Sequence, residues 1–175
     1  TVDYRPATRA ALHNLIRWVR DGVEPPASQF PRIASGTAVT RESLEPALTA
    51  IPGMGFPKVL PVRQRLDYGP EMAQGTPRYP AKEGEPYVTL VSTLDSDCNE
   101  VAGIRLPDIR VPLGTHTGWS LRHENMGGID HFMPLQGAVV PFPRTLEERQ
   151  ETGDPRPSIE ERYASREDYL ARVRL

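Results

Sequence analysis

The chain has 175 residues, with 19 prolines, 14 glycines, 38% hydrophobic residues and a formal net charge of −2. This length suits one domain, but proline at about twice its usual share of roughly 5% excludes long helices and central strands wherever prolines crowd. Basic and acidic residues alternate, and no apolar run reaches the about 18 to 20 residues of a bilayer span, so neither nucleic acid nor membrane is expected as a partner.

The first element is "RPATRAALHNLIRWVRDGVEPP". Pro6 suits a first helical turn, and Leu12, Leu15, Ile16 and Val19 recur on one face, which predicts a helix over about 7–21. Gly22 and Pro25-Pro26 end it. His13 lies beside the stripe and reads as an ordinary helix histidine. Residues 1–24 form the first unit.

Residues 25–86 keep no period of 2 or 3.6. A short helical turn at "RESLEPALTA" and extended pieces near "KVLPVRQRLDYG" are expected in an otherwise Pro- and Gly-rich extended arm. Phe30, Ile33, Ile51, Phe56, Val59, Leu60 and Tyr68 are spread along it, so the arm is expected to dock on a larger body and not to be disordered.

Residues 87–142 change character. "PYVTLVSTLDSDCNEVAGIRLP" predicts one β-hairpin over 87–106, with the Asp/Asn cluster as its tip, followed by a polar loop segment. In 143–175, Thr145-x-x-Glu148 and Ser158-x-x-Glu161 are capping boxes, and Ser165-x-x-Asp168 is an acidic relative. Each predicts a short helix. Gly153 closes the first, and "DPRP" separates it from the second. The expected class is therefore α+β and loop-rich, with few short helices, one hairpin and long Pro-rich extended segments.

Chemistry has few places to sit. Cys98 is the single cysteine, so no internal disulfide forms and the compartment stays open. Its neighbours Asp95, Asp97 and Glu100 disfavour a thiolate nucleophile. "DSDCNE" mimics the start of a calcium loop, but Glu100 and Leu106 stand where glycine and a bidentate glutamate belong. "GTHTGWSLRHENMGGIDHF", residues 114–132, holds three of the four histidines. It has no H-E-x-x-H spacing and no cysteine pair, so no metal is expected. There is no G-x-S-x-G elbow and no phosphate-binding loop, so no cofactor and no catalytic residue is assigned.

"DCNEVAGIRLPDIRVPLGTHTGWSLR" and "LQGAVVPFPRTLEERQETGDPRPSIEERYASREDYLARV" resemble the C-terminal part of a bacterial family of alpha/beta-hydrolase domain proteins. "DYRPATRAALHNLIRWVRDGVEPPASQFPRIASGT" is similar to that family's helix and Pro-rich arm. "AGIRLP", "TGWSLR", "PFPRT" and "GDPRPSIEERY", in this order, carry the likeness. Three positions depart from it: Cys98 replaces the turn glycine of a D-x-D-G-N-E pattern, Gly114 a larger small residue, and His116 an aromatic.

The resemblance implies the C-terminal portion of an α/β-hydrolase-type serine hydrolase of esters or amides, with its nucleophile upstream of this chain. The partners it implies are that upstream hydrolase core, to which the first helix would belong, and a small ester or amide substrate. On this basis His116, Trp119, Arg122, His123 and His131 are expected around the substrate pocket, with Trp119 packing the loop and Arg122 pairing with a carboxylate. The alternative is a stand-alone, non-catalytic binding or interaction module.

Overall fold

A computed structural model describes residues 3–133 and 136–174; Leu135, which opens the second family-like stretch, lies outside them. Helix α1 spans Arg5–Asp21, with proline in its first turn. Gly22 ends it in a left-handed conformation (φ 68°) that glycine adopts without strain, and its N–H donates to the Trp18 carbonyl at 3.1 Å. The predicted stripe is present, yet no α1 residue is buried, and Val19 is 80% exposed.

Strand β1 (Ala38–Thr40) leads into a 3-10 turn, Arg41–Leu44, and helix α2 (Glu45–Thr49), as "RESLEPALTA" predicts. Strands β2 (Gln64–Asp67) and β3 (Lys82–Pro86) follow, then β4 (Leu90–Ser92) and the helical turn α3 (Pro107–Arg110). Four short strands come next: β5 (Gly114–His116), β6 (Ser120–Leu121), β7 (Phe132–Met133) and β8 (Val139–Pro141). Helices α4 (Leu146–Thr152), α5 (Ile159–Arg162) and α6 (Arg166–Val173) end the described chain.

The strands form four separate antiparallel pairs: β1 with β4, β2 with β3, β5 with β8, and β6 with β7. The result is mixed α+β and rich in loops. Of the single hairpin expected over 87–106, the tip closes on itself, and the strand leading into it pairs with β1. Leu90 lies opposite Thr40 and Ser92 opposite Ala38, while the return stretch meets residues 92–94 through a Leu94–Glu100 bridge, the Val101 N–H on the Thr93 carbonyl (3.0 Å) and the Ala102 N–H on Ser92 Oγ (3.0 Å). Turn residues at 95–99 are locally encoded; the choice of β1 as partner is a contact about 50 residues away that no local pattern announces.

The expected arm also changes role at its centre. Leu48, Ile51 and Phe56 are buried there, and together with Cys98 they form the main apolar cluster. Leu44, Met54, Leu94, Trp119 and Val140 pack around it. The stretch over 64–86 is instead a β2–β3 pair whose residues are all exposed, with a register shift between Gln64 and Leu66.

The C-terminal part is held by polar side chains. Arg156 is 1% exposed and donates to Thr115 Oγ1 (2.9 Å), the Val140 carbonyl (3.0 Å) and the Pro141 carbonyl (3.1 Å). It also grips Asp154 through Nε (2.9 Å) and Nη2 (2.6 Å). Thr115 Oγ1 donates in turn to the Asp97 carbonyl at 2.5 Å, and Arg162 binds both carboxylate oxygens of Asp97 at 2.8 and 2.5 Å. Both guanidiniums lie near the Phe142 ring, at 5.1 and 4.0 Å. Buried charges in this layer are therefore paired and hydrogen-bonded, as low-dielectric surroundings require.

All three predicted N-caps form. Thr145, Ser158 and Ser165 accept from the N–H three residues on, and Ser158 with Glu161 makes the complete reciprocal box. Glu148 and Asp168 reach one residue further back, to the N–H groups of Arg144 and Ala164.

Candidate functional site

The site grows from the turn at 95–100 and the strand it faces. Asp95 Oδ1 accepts from the N–H groups of Asp97 (2.9 Å) and Asn99 (3.0 Å), which folds the chain tightly on itself. Cys98 takes a left-handed conformation (φ 57°) in that turn, at the position where the family-like pattern carries glycine. Its thiol points into the apolar cluster, 3.7 Å from the Ala47 carbonyl. Burial pushes the thiol pKa up; the charge of Arg156 opposes that, and Asp95, Asp97 and Asp154 add to it. Nothing here activates it as a nucleophile.

Asn99 is fully buried and spans to β5. Its Nδ2 donates to the Gly114 carbonyl (3.2 Å), and its Oδ1 accepts from the His116 N–H (2.8 Å). Gly114 has no room for a side chain, because a Cβ there would stand 2.6 Å from the Val140 carbonyl oxygen. The departure to glycine at this position thus lets β5 and β8 approach closely.

Two cavities flank the end of β5. One, of about 300 Å³, is walled mainly by apolar side chains, among them Leu48, Phe56, Val91, Leu94 and Trp119. Trp119 and Phe56 meet edge to face with centroids 6.3 Å apart. The other cavity, of about 400 Å³, is bounded by Ile104, Ile109, Ala138 and Val139, with Arg105 at its side. Glu100, His116, Thr117 and Gly118 line both.

Both titratable groups on this shared stretch are biased toward their uncharged forms. Loss of water raises the Glu100 carboxyl above its usual range, although the residue as a whole keeps exposed surface. Burial lowers the His116 imidazole, against a smaller opposing pull from Asp108. Neither enters an ion pair among the described residues.

Of the residues singled out from sequence, the structure brings His116 and Trp119 together at the first cavity. Arg122, His123 and His131 lie on the exposed continuation of that loop. The Arg122 N–H donates to the His131 carbonyl at 3.2 Å, which makes these two a backbone pair next to β6 and β7. The carboxylate partner expected for the Arg122 side chain is not found among the described residues. His123 Nδ1 accepts from the Asn125 N–H at 3.3 Å and so caps the 3-10 turn Glu124–Met126. Among the described residues no three His, Cys, Asp or Glu side chains converge as a metal site, and no helix is long and apolar enough to cross a membrane.

Residues that the sequence left unmarked do much of the positioning. Glu100 read as part of a polar tip, and "DPRP", which holds Arg156, only as a separator between two helices. Their one available signal was membership in the "DCNE" and "GDPRPSIEERY" stretches of the resemblance. No serine hydroxyl hydrogen-bonds a histidine among the described residues, and Ser92 Oγ is occupied by the Thr93 carbonyl and the Ala102 N–H.

A family described as "Alpha/beta hydrolase domain" matches this chain over residues 1–175. No curated protein and no solved structure matches it. The chain belongs to the alpha/beta hydrolase domain family.

Proposed function

We propose, starting from membership in the alpha/beta hydrolase domain family, that this chain is the C-terminal portion of a serine hydrolase acting on esters or amides, with its nucleophile outside these 175 residues. The observation that carries the proposal is the cavity beside His116 and Trp119, an apolar pocket with a few polar groups at one side, within a chain matched to this family along its whole length. Consistent with it, the sequence has no G-x-S-x-G elbow, and no Ser–His pair forms among the described residues.

Acyl transfer needs an activated hydroxyl, a base, oxyanion donors and a substrate held in line with them. In this proposal the chain supplies the last of these. Trp119 and Phe56 give a stiff wall, Thr117 and the β5 end fix its polar side, and the Asn99–Arg156 layer keeps β5 in place. Helix α1 turns Leu12, Leu15, Ile16 and Val19 outward, the surface with which it would join the remaining hydrolase core.

A fluorophosphonate probe, which labels activated serines, tests this on the full gene product. Labelling is expected at a serine not among these 175 residues, together with turnover of a short-chain aryl ester. Robust turnover with the label on a serine within the 175 residues would overturn the placement of the nucleophile. An unlabelled, inactive gene product that still binds small molecules would favour a non-catalytic binding module.

A further inference from the structure

Four residues shared by two cavities suggest more than one pocket wall. Glu100, His116, Thr117 and Gly118 line both the 300 Å³ and the 400 Å³ cavity, so the two spaces share one short polar stretch of wall, the seam. Away from the seam each is walled mainly by carbon. The two cations nearby are engaged: Arg105 pairs with Asp95 and donates to the Ile109 carbonyl (3.0 Å), and Arg41 donates to Glu42 and the Pro57 carbonyl over the face of Phe56. Glu100 sits at the seam without a counter-ion among the described residues, which disfavours an anionic ligand there.

We propose that the two cavities bind one uncharged ligand with two apolar arms, its ester or amide link lying at the Glu100–His116–Thr117 seam and one arm entering each cavity. This rests on the reading of the first cavity as a substrate pocket and names the substrate class. An apolar cavity of roughly 150 Å³ holds a benzene ring. Each arm is therefore of the order of one or two rings, or a medium alkyl chain. At the seam, the Glu100 carboxyl and the His116 imidazole enter no ion pair among the described residues and present hydrogen-bonding atoms to a neutral link.

The test is equilibrium binding of N-benzylhexanamide to the full gene product, by calorimetry and ligand-observed NMR, beside hexanamide, N-benzylacetamide and hexanoate. The two-armed amide is expected to bind at least tenfold tighter than either one-armed amide, and hexanoate weakest of all. Gly118→Phe gives a second arm to the test, because a Cβ at Gly118 meets no heavy atom within 4 Å and the fold should tolerate it. With an unchanged melting curve, that variant is expected to lose at least tenfold in affinity for the two-armed amide.

Equal affinity of the two-armed amide and its better half overturns the proposal, as does preference for hexanoate or undiminished binding by folded Gly118→Phe. Failure here is separable from failure of the hydrolase reading. Serine labelling without the two-arm advantage removes only the present inference. A two-arm advantage in a gene product that no serine probe labels retains it and removes the hydrolase.

Discussion

The N-terminal helix and the C-terminal layer around Arg156 are opposites in how they hold their place. Helix α1 has a regular amphipathic stripe and buries none of its residues, whereas the loop "GDPRP" has no period and contains a side chain that is 1% exposed. Local regularity in this molecule therefore marks secondary structure, and long-range hydrogen bonding marks where tertiary structure is concentrated. The four acceptor groups gathered by Arg156 come from residues 115, 140, 141 and 154. One guanidinium thus ties β5 and β8 to the loop between α4 and α5.

The sharpest way to break the contrast is Arg156→Ala. Removing one partner leaves Asp154 charged and buried, and a loss of about 3 to 5 kcal/mol is expected in urea unfolding. Arg156→Lys should recover only part of it, since a point charge does not reproduce the fork. Full stability in Arg156→Ala would show that the layer is incidental.

The apolar cluster comes next. Phe56→Ala should cost about 3 to 4 kcal/mol, and Trp119→Ala about 2 to 3 because Trp119 is only partly buried. Thermal melts of both variants check the order. Gly114→Ala should cost about 1 to 3 kcal/mol, as an added methyl must displace the Val140 carbonyl. A neutral result there would mean that β8 yields easily.

Acid titration probes the Arg156 layer through Asp154. Burial alone would raise the Asp154 carboxyl, but the Arg156 side-chain and backbone hydrogen bonds outweigh it and hold it below its ordinary 3.8. Its stabilisation is full above that value and is lost as pH falls through the lower folded one. Circular dichroism at 222 nm should thus show stability falling below pH 3.8, with a shallower fall in Asp154→Asn.

The smallest effect is expected in α1. Leu15→Ser should change the stability of the 175-residue chain by less than about 0.5 kcal/mol, since Leu15 is half exposed. In the full gene product the same substitution should cost clearly more if this face joins a hydrolase core. Equal small effects in both would leave α1 without a partner.

The elements that could be read from sequence are those whose determinants lie within about four residues. Pro6, the Leu12–Val19 stripe and Gly22 set α1, and Thr145, Ser158 and Ser165 set three helix starts. The pairing of β1 with β4 could not be read, because strands of three residues carry too little alternation to name a partner. Of the candidate site, Trp119 and His116 were visible as unusual residue types in a polar stretch. Glu100 was not, since no local pattern shows that the turn sets it at the wall of both cavities. Arg156 was hidden for the same reason, between two prolines in a segment that reads as a spacer.

The Asn99 carboxamide has a further consequence. In an antiparallel pair the N–H and C=O groups of alternate residues point to opposite sides. Thr115 serves the β8 side, while the Gly114 carbonyl and the His116 N–H face away from β8 and are both taken by Asn99. One side chain thus imitates a single peptide of a third strand and closes that flank against another chain. An open strand edge is a template for aggregation. Only a side chain with one donor and one acceptor at that reach seals it, and deamidation of Asn99 to aspartate would set an oxygen against the Gly114 carbonyl. A slow chemical change of one atom group would thus remove the only donor that the side chain offers to that flank.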